Sequence, residues 1–250
     1  MTTKMKTILP YFVLFLSSLP FLGMAQEVPK GLEMAEIMKI SDAYRTAADL
    51  SFDLRFTYAD SATANNIEEQ LDAHYKIHEG KYWSLVDSVE FLQGGQYNMA
   101  VNYRDSVVVV NNRQESTQVL QLPFLDSLFN EANVASLNVT RINDSTRSLL
   151  ILFNAGSPYH SYEIQYDVVS YRIRQAKYYL TDVVNSHSSG SSVVAVSMQF
   201  SNYSDEVINE TYFNERKFVY RDADKIKLQN AYTGFKLVLN GEVVETTAQD

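Results

Sequence analysis

Polar and apolar residues alternate, one for one, in a long series of short segments that begins near residue 50. In the segment 51–58, Phe52, Leu54, Phe56 and Tyr58 occupy every second position, and polar residues lie between them. In a β-strand, successive side chains point to opposite faces, so residues at every second position share one face. This pattern therefore predicts strands with one face in a core. The same alternation recurs over 70–78 and 97–103.

The strands follow one another closely, which is typical of an antiparallel meander and not of βαβ units. Apolar stripes at helical spacing predict two helices, at 32–50 and 117–133. The predicted strands are 51–58, 71–77, 82–92, 97–103, 107–110, 136–141, 148–153, 161–167, 171–180, 193–200, 213–220 and 235–239.

A sheet of ten or more strands curls, because adjacent strands twist relative to each other. The apolar face then needs a cover, and the two amphipathic helices are the available cover. The sequence therefore predicts a mainly β fold with minor α: an antiparallel curved sheet, or unclosed β barrel, with a helical lid. We expect a single domain over 26–243 and a disordered tail over 244–250.

The first 25 residues resemble an export signal. Lys4 and Lys6 precede a mainly apolar run over 8–22, and Gly23-Met24-Ala25 offers small residues for signal peptidase. The apolar run is short for a membrane span, which needs about 20 residues. We therefore expect cleavage near Ala25, a periplasmic mature protein and no integral membrane segment.

Charge excludes two classes of partner. The chain has 21 basic and 30 acidic residues, a net charge of −9, and loss of the two signal lysines makes it −11. Nucleic acids and anionic membrane surfaces select for lysine and arginine, so neither is an expected partner. There is no cysteine, which excludes disulfides and thiolate metal sites.

Three segments carry a resemblance to a known family. They are 47–54, where a helix runs into a long first strand; Gly80-Lys81-Tyr82-Trp83, at a strand start; and 196–204, a late strand that ends in a polar turn. With the order of elements, they make the chain similar to the LolA/LolB-like superfamily of periplasmic lipoprotein carriers. The resemblance implies an unclosed barrel whose cavity shelters lipoprotein acyl chains. Other members of that superfamily sense lipoproteins or bind proteins.

No arrangement of residues points to catalysis or to a cofactor. His74 and His78 are separated by four residues, roughly 13 Å on a strand, which is too far to share a metal ion. No Gly-x-Ser-x-Gly elbow and no glycine-rich phosphate loop is present. We therefore expect no enzyme activity, no cofactor and no metal.

The remaining candidate site is the apolar interior of the barrel. The hypothesis is a non-catalytic carrier-like protein that shelters an acyl chain or other apolar ligand; the alternative is an envelope protein-interaction or assembly module without lipid. If the barrel is hollow, its lining is ligand-binding, and if the helices fill it, the same residues are core. The candidate lining residues are Phe52, Leu54, Phe56, Tyr75, Trp83, Tyr97, Met99, Val101, Met198 and Phe200.

Five Asp-Ser pairs are each followed by a small or apolar residue, or by threonine. This pattern is similar to an O-glycosylation sequon that one group of Gram-negative bacteria uses on exported proteins. The alternative is that Asp-Ser is an ordinary turn dipeptide. The pairs begin at Asp60, Asp87, Asp105, Asp126 and Asp144.

Overall fold

The computed structural model describes residues 31–59, 67–113, 134–157, 159–181 and 193–244. The predicted signal peptide and the predicted helix 117–133 lie outside these residues. Of the predicted tail 244–250, only Val244 is described, and it belongs to a strand. No helix within the described ranges is long and apolar enough to cross a bilayer.

One α-helix precedes the strands. Helix α1 covers Leu32–Arg45, so it ends five residues before the predicted boundary, and Asp49 and Leu50 already belong to the first strand. The first six strands are β1 (Asp49–Ala59), β2 (Ile67–His78), β3 (Lys81–Val86), β4 (Val89–Gln93), β5 (Tyr97–Asn102) and β6 (Val107–Asn112). The next five are β7 (Val134–Arg141), β8 (Thr146–Phe153), β9 (Tyr159–Asp167), β10 (Ile173–Thr181) and β11 (Val193–Ser204).

The C-terminal part contains short elements. They are two 3-10 turns (Glu210–Phe213 and Glu215–Lys217), β12 (Val219–Asp222), β13 (Lys225–Leu228), a 3-10 turn (Asn230–Tyr232), β14 (Lys236–Leu239) and β15 (Glu242–Val244). The sequence predicted a strand over 213–220, but half of these residues lie in 3-10 turns and only 219–220 belong to a strand. Asn209 and Asn214 each accept a hydrogen bond from a backbone N–H two residues on, which favours turns there.

Thirteen of the described strands form one sheet, in the order β15-β14-β6-β5-β4-β3-β2-β1-β11-β10-β9-β8-β7. Every pair in it is antiparallel except β14, which returns from the C-terminal part and pairs parallel to β6. Strands β12 and β13 form a separate hairpin. The predicted mainly β fold, a curved and unclosed sheet of more than ten strands, is confirmed.

The strand registers divide the sheet into two faces. Phe52 lies opposite Tyr75, and Leu54 lies opposite Phe200, so these side chains share one face, the inner face. Buried side chains from β3 across to β8 form one cluster with α1 on this face, although a flat sheet would spread those strands over roughly 29 Å. The inner face is therefore the inside of the curve. The opposite face is called the outer face below.

A second core cluster lies on the outer face of β3 to β6. Trp83 lies opposite Leu92, and Leu92 lies opposite Met99, so these side chains point away from the inner face. The C-terminal segment 208–244, called the C-terminal cover, packs on them. It contributes Ile208, Phe213, Phe218, Val219, Leu228, Tyr232 and Leu237 to the cluster.

Tight turns set the strand boundaries. Gly80 has φ +75° in the β2–β3 turn, a conformation that glycine adopts without a Cβ penalty. Asp87, at φ +50°, turns the chain and divides the predicted strand 82–92 into β3 and β4. The Asp-Ser pairs at 87, 105 and 144 all lie in turns between consecutive strands, and the other two lie outside the described residues.

Candidate functional site

The inner face carries a row of apolar and aromatic side chains across six strands, largely buried, and the curved surface that they form is called the trough below. At the three β1 positions Phe52, Leu54 and Phe56, and at the positions paired with them in β2 and β11, each inward side chain is apolar or aromatic. The same holds further across, where Ala176, Ile164 and Leu149 continue the row from Met198. A surface with this lining favours apolar groups, because burial of a charge without a partner costs several kcal/mol.

Helix α1 closes the end of the trough near Leu50. Its Ile37, Ile40 and Tyr44 side chains are buried against the sheet, and Glu36 is buried with them. Ile37, Ile40 and Tyr44 recur at spacings of three and four residues, which places them along one stripe of the helix.

Glu36 fixes the helix to strands β8 and β9. Tyr166 donates a hydrogen bond to Glu36 Oε2 at 2.7 Å, and Arg147 Nη1 donates to the same oxygen at 3.0 Å. Lys39 Nζ donates to Oε1 at 2.9 Å. Burial raises the pKa of Glu36, but the three hydrogen bonds outweigh it and hold the pKa below its ordinary value. The carboxylate is thus charged, buried and paired.

A chain of hydroxyl groups fixes the other end of α1. The Ile173 backbone N–H donates to the Tyr44 hydroxyl at 2.9 Å, and the Tyr203 hydroxyl donates to the Ile173 carbonyl at 2.7 Å. The Tyr44 and Tyr203 oxygens are 2.5 Å apart. Since Tyr203 uses its proton on the carbonyl, Tyr44 donates to Tyr203. Burial raises the pKa of Tyr44 to about 12, so the hydroxyl stays protonated at neutral pH.

Aromatic side chains line the trough beyond the helix on the side of β8 to β10. The Phe153 and Tyr159 ring centroids are 5.6 Å apart, and Tyr178 packs at 6.2 Å from Tyr159 and 6.0 Å from Tyr162. Phe153, Tyr159 and Tyr178 are half-buried. Burial raises the pKa of Tyr178, so this wall carries no charge.

A second aromatic wall lies on β1 to β3. Phe52 stacks on Tyr75 with 5.0 Å between ring centroids, and Tyr82 continues the row at 5.8 Å from Tyr75. Burial raises the pKa of Tyr82 to about 12, and its hydroxyl donates to Ser84 Oγ at 3.0 Å. Both walls are therefore neutral and rich in aromatic rings.

The ten predicted lining residues are divided between the two faces. Six lie on the inner face and belong to the trough or to its core: Phe52, Leu54, Phe56, Tyr75, Met198 and Phe200. Four lie on the outer face, beneath or beside the C-terminal cover: Trp83, Tyr97, Met99 and Val101. Alternation shows which residues of a strand share a face, but it does not show which face of the sheet they meet. Ligand binding by any of the ten stays a prediction.

Glu90 is a buried carboxylate that no sequence pattern indicated. It lies on the outer face of β4, where Trp83 Nε1 donates to Oε1 at 2.7 Å and Tyr103 donates to Oε2 at 2.5 Å. Lys217 of the C-terminal cover donates to Oε1 at 2.9 Å. Burial raises the pKa of Glu90, yet these hydrogen bonds lower it further than burial raises it. Glu90 therefore binds the cover to the sheet.

The two histidines of β2, His74 and His78, both lie on the outer face. His74 Nδ1 is 2.6 Å from Asp53 Oδ1, and the side chain is exposed. His78 Nδ1 is 2.8 Å from Asp49 Oδ1, but its ring stacks on Phe213 and is largely covered. Within the described ranges, no group of three His, Cys, Asp or Glu side chains is placed to hold a metal ion.

No family model matches the sequence, and no curated protein matches it. Among solved structures, the chain is similar to a LolA superfamily protein from Nitrosomonas europaea, at 10% identity over 74% of this chain and 98% of that one, with a TM-score of 0.36. It is also similar to the Mycobacterium tuberculosis lipoprotein LppX, at 12% identity, coverage of 70% and 96%, and a TM-score of 0.38.

A putative outer membrane lipoprotein-sorting protein domain from Vibrio parahaemolyticus is similar at 10% identity, coverage of 73% and 96%, and a TM-score of 0.35. The solved structures to which the chain is similar thus include a protein of the LolA superfamily. Similarity of fold does not assign a ligand, because unrelated functions share folds.

Proposed function

We propose that this chain is a non-catalytic periplasmic binding protein that shelters an acyl chain or another apolar ligand in the inner-face trough. The observation that carries the proposal is the lining of the trough, which is uncharged from Phe52 to Phe56 and across the paired strands. Its two aromatic walls, at Tyr75 and Tyr178, stand on either side of β1 and β11.

The energy of such binding comes from removal of apolar surface from water. Each buried methylene contributes about 0.8 kcal/mol, so an acyl chain with roughly eight buried methylenes gains about 6 kcal/mol before the entropic costs of binding. Tyr75 and Tyr178 stay protonated at neutral pH, so both walls present uncharged surfaces to an apolar chain. Export to the periplasm rests on the signal-like residues 1–25.

Two neighbouring residues of β8 give a matched test. Phe153 is half-buried and faces inward beside Tyr159, whereas Leu152 faces outward and is 38% exposed. The probe is N-phenyl-1-naphthylamine, an uncharged dye that fluoresces in apolar surroundings. We expect saturable binding to the wild-type chain. Phe153→Lys is expected to weaken it by about tenfold, about 1.4 kcal/mol, because an ammonium group then enters the trough.

Leu152→Lys is the control, and we expect it to change dye affinity by less than about twofold, because surface substitutions have small effects. Circular dichroism establishes that both variants are folded. Absence of saturable dye binding to the wild-type chain contradicts the proposal. Equal weakening by the two substitutions contradicts it as well.

The second candidate function is an envelope protein-interaction module. Leu150 and Leu152 are 36% and 38% exposed on the outer face of β8, next to strand β7 at the edge of the sheet. Exposed apolar residues at such a place suit contact with a protein. The same pair of variants separates the two functions: Leu152→Lys is expected to abolish a protein contact made there, whereas Phe153→Lys is expected to leave that contact intact.

A further inference from the structure

We propose that a cleft on the outer face binds a neutral saccharide. The cleft lies where the first residues of the C-terminal cover meet β1 and β2. Asp53, His74, Lys76 and Trp83 place this cleft on the outer face, and its lining also includes Phe52 and Tyr75, whose side chains face the trough. Its volume is about 370 Å³, within the range of about 300–1,000 Å³ for small-molecule sites. It is lined by Ser51, Phe52, Asp53, His74, Tyr75, Lys76, Trp83, Asn202 and Tyr212.

The carboxylate in the cleft is already paired. Asp53 Oδ1 is 2.6 Å from His74 Nδ1, and Asn202 Nδ2 donates to Asp53 Oδ2 at 2.7 Å. Asn202 lies where β11 bulges against β1, with φ +53°, and the bulge directs its amide towards Asp53. Asp53 therefore positions His74 and Asn202 and has no charge left unpaired for a ligand.

The cation in the cleft also has a partner. Lys76 Nζ lies 4.6 Å from the centroid of the Tyr212 ring, a cation–π contact. The charges of Lys76 and Asp53 balance each other, and each has a partner within the cleft. The chain as a whole has a net charge of −9, which repels anions. An uncharged ligand fits these conditions better than an oxyanion does.

Apart from Asp53 and Lys76, the polar groups of the cleft are neutral hydrogen-bond donors and acceptors, and they lie beside the rings of Trp83 and Tyr212. They are the Ser51 hydroxyl, the Asn202 amide oxygen, His74 Nε2 and the Tyr212 hydroxyl, all on residues that line the cleft. A saccharide offers both hydroxyl groups for such atoms and C–H groups for a ring face.

The aromatic side of the cleft, formed by Trp83 and Tyr212, is held in place. The Trp83 ring contacts Tyr212 edge to face, with 4.9 Å between centroids, and Trp83 Nε1 donates to the buried Glu90. Tyr212 itself stays 39% exposed, which leaves part of its ring for a ligand. A preformed wall of this kind reduces the entropic cost of binding.

Trp83 is the single tryptophan of the chain, so its fluorescence reports on the cleft directly. The full mature chain is titrated with glucose, N-acetylglucosamine and maltose, and with inorganic phosphate as the anionic comparison. We expect a saturable change in Trp83 emission with at least one sugar, at a Kd of about 1 mM, and none with phosphate. Tyr212→Ala is expected to weaken sugar binding by at least about tenfold.

The matched control is Tyr220→Ala, because Tyr220 is 40% exposed and lies on the separate β12–β13 hairpin. It is expected to leave sugar affinity unchanged. His74→Ala, at an exposed strand position, gives a second variant that is expected to weaken binding even if Tyr212→Ala unfolds the cover. No saturable change with any of the three sugars overturns the proposal. So does a response to phosphate alone, or equal affinity in the wild-type chain and the His74 variant.

Discussion

The two halves of the large sheet are covered on opposite faces by segments from opposite ends of the chain. Helix α1 covers the inner face of β1, β2 and β8 to β11, and the C-terminal cover lies on the outer face of β3 to β6. Each cover is bound by one buried carboxylate. Glu36 belongs to the cover and reaches the sheet, whereas Glu90 belongs to the sheet and binds Lys217 of the cover.

The two covers differ in how much of the sheet beneath them they bury within the described residues. A helix of 14 residues buries one end of the inner face and leaves half-buried aromatic walls beyond it. The C-terminal cover runs over the whole outer cluster, and Leu92, Met99, Val101, Val108 and Val110 are all buried beneath it. Within the described residues, the inner half therefore keeps half-buried aromatic side chains beyond its helix, whereas the outer cluster is buried beneath its cover.

The largest expected effect is on the outer half. Phe218 is fully buried in the outer cluster, so Phe218→Ala is expected to lower the free energy of unfolding by about 3–5 kcal/mol. Urea denaturation measures the loss, and Tyr220→Ala, at an exposed position, is the control. Dye affinity of the folded Phe218 variant is expected to stay within about twofold of wild type. A parallel loss of dye affinity contradicts the separation of the two halves.

The next effect is on the inner half. Tyr44→Phe removes the hydroxyl that accepts from the buried Ile173 N–H and donates to Tyr203, and an orphaned buried donor costs about 1–3 kcal/mol. Urea denaturation measures the stability, and amide exchange at Ile173 is expected to become faster. Tyr220→Phe is the exposed control. Unchanged exchange at Ile173 contradicts the role of this hydroxyl chain.

Acid is expected to weaken both halves. The pKa values of Glu36 and Glu90 lie below the ordinary value of 4.5, so the unfolded chain binds more protons than the folded chain as the pH falls. Their contribution is complete above pH 4.5 and is lost as the pH falls through the folded pKa values. Urea midpoints between pH 7 and pH 3 measure this loss.

The double variant Glu36→Gln/Glu90→Gln is expected to show a flatter acid limb. Glu206→Gln, at an exposed carboxylate, is the control. An acid limb as steep in the double variant as in the wild-type chain shows that other groups cause the loss.

The smallest effect belongs to the uncovered outer face of β1 and β2. Arg55 Nε donates to Asp72 Oδ1 at 2.7 Å, and both side chains are more than half exposed. Exposed pairs of this kind contribute about 0–1 kcal/mol, and salt screens them. A double-mutant cycle of Arg55→Gln and Asp72→Asn is expected to give a coupling below about 0.5 kcal/mol at low salt. A coupling above 1 kcal/mol contradicts this estimate.

The sequence predicted the regular part of the inner half well. β1 and β8 to β10 agree with the predicted strands to within two residues at each end, because one buried face imposes strict alternation. The C-terminal cover was predicted poorly. Its 3-10 turns and short strands pack through scattered residues such as Ile208 and Phe218, which have no period that a sequence pattern can show.

The sequence grouped the candidate lining residues by strand, but it did not show on which face of the sheet each group lies. Six of the ten lining residues share the inner face, and the other four, including Trp83 and Met99, lie on the outer face. In β3, Tyr82 and Trp83 are both apolar and point to opposite faces, so alternation cannot choose between the faces there. The pairing of Glu90 with Lys217 joins residues 127 positions apart, and no local pattern indicates it.

The sequence by itself determined most strands of the large sheet, their antiparallel pairing and the need for curvature, because alternation and tight turns act over a few residues. Only the tertiary structure decided on which face of the sheet each row of apolar side chains lies. That choice depends on contacts between distant segments: the parallel pairing of β14 with β6, the packing of α1 across the inner face, and the burial of Glu36 and Glu90 between sheet and cover. Such contacts form when the whole chain is folded.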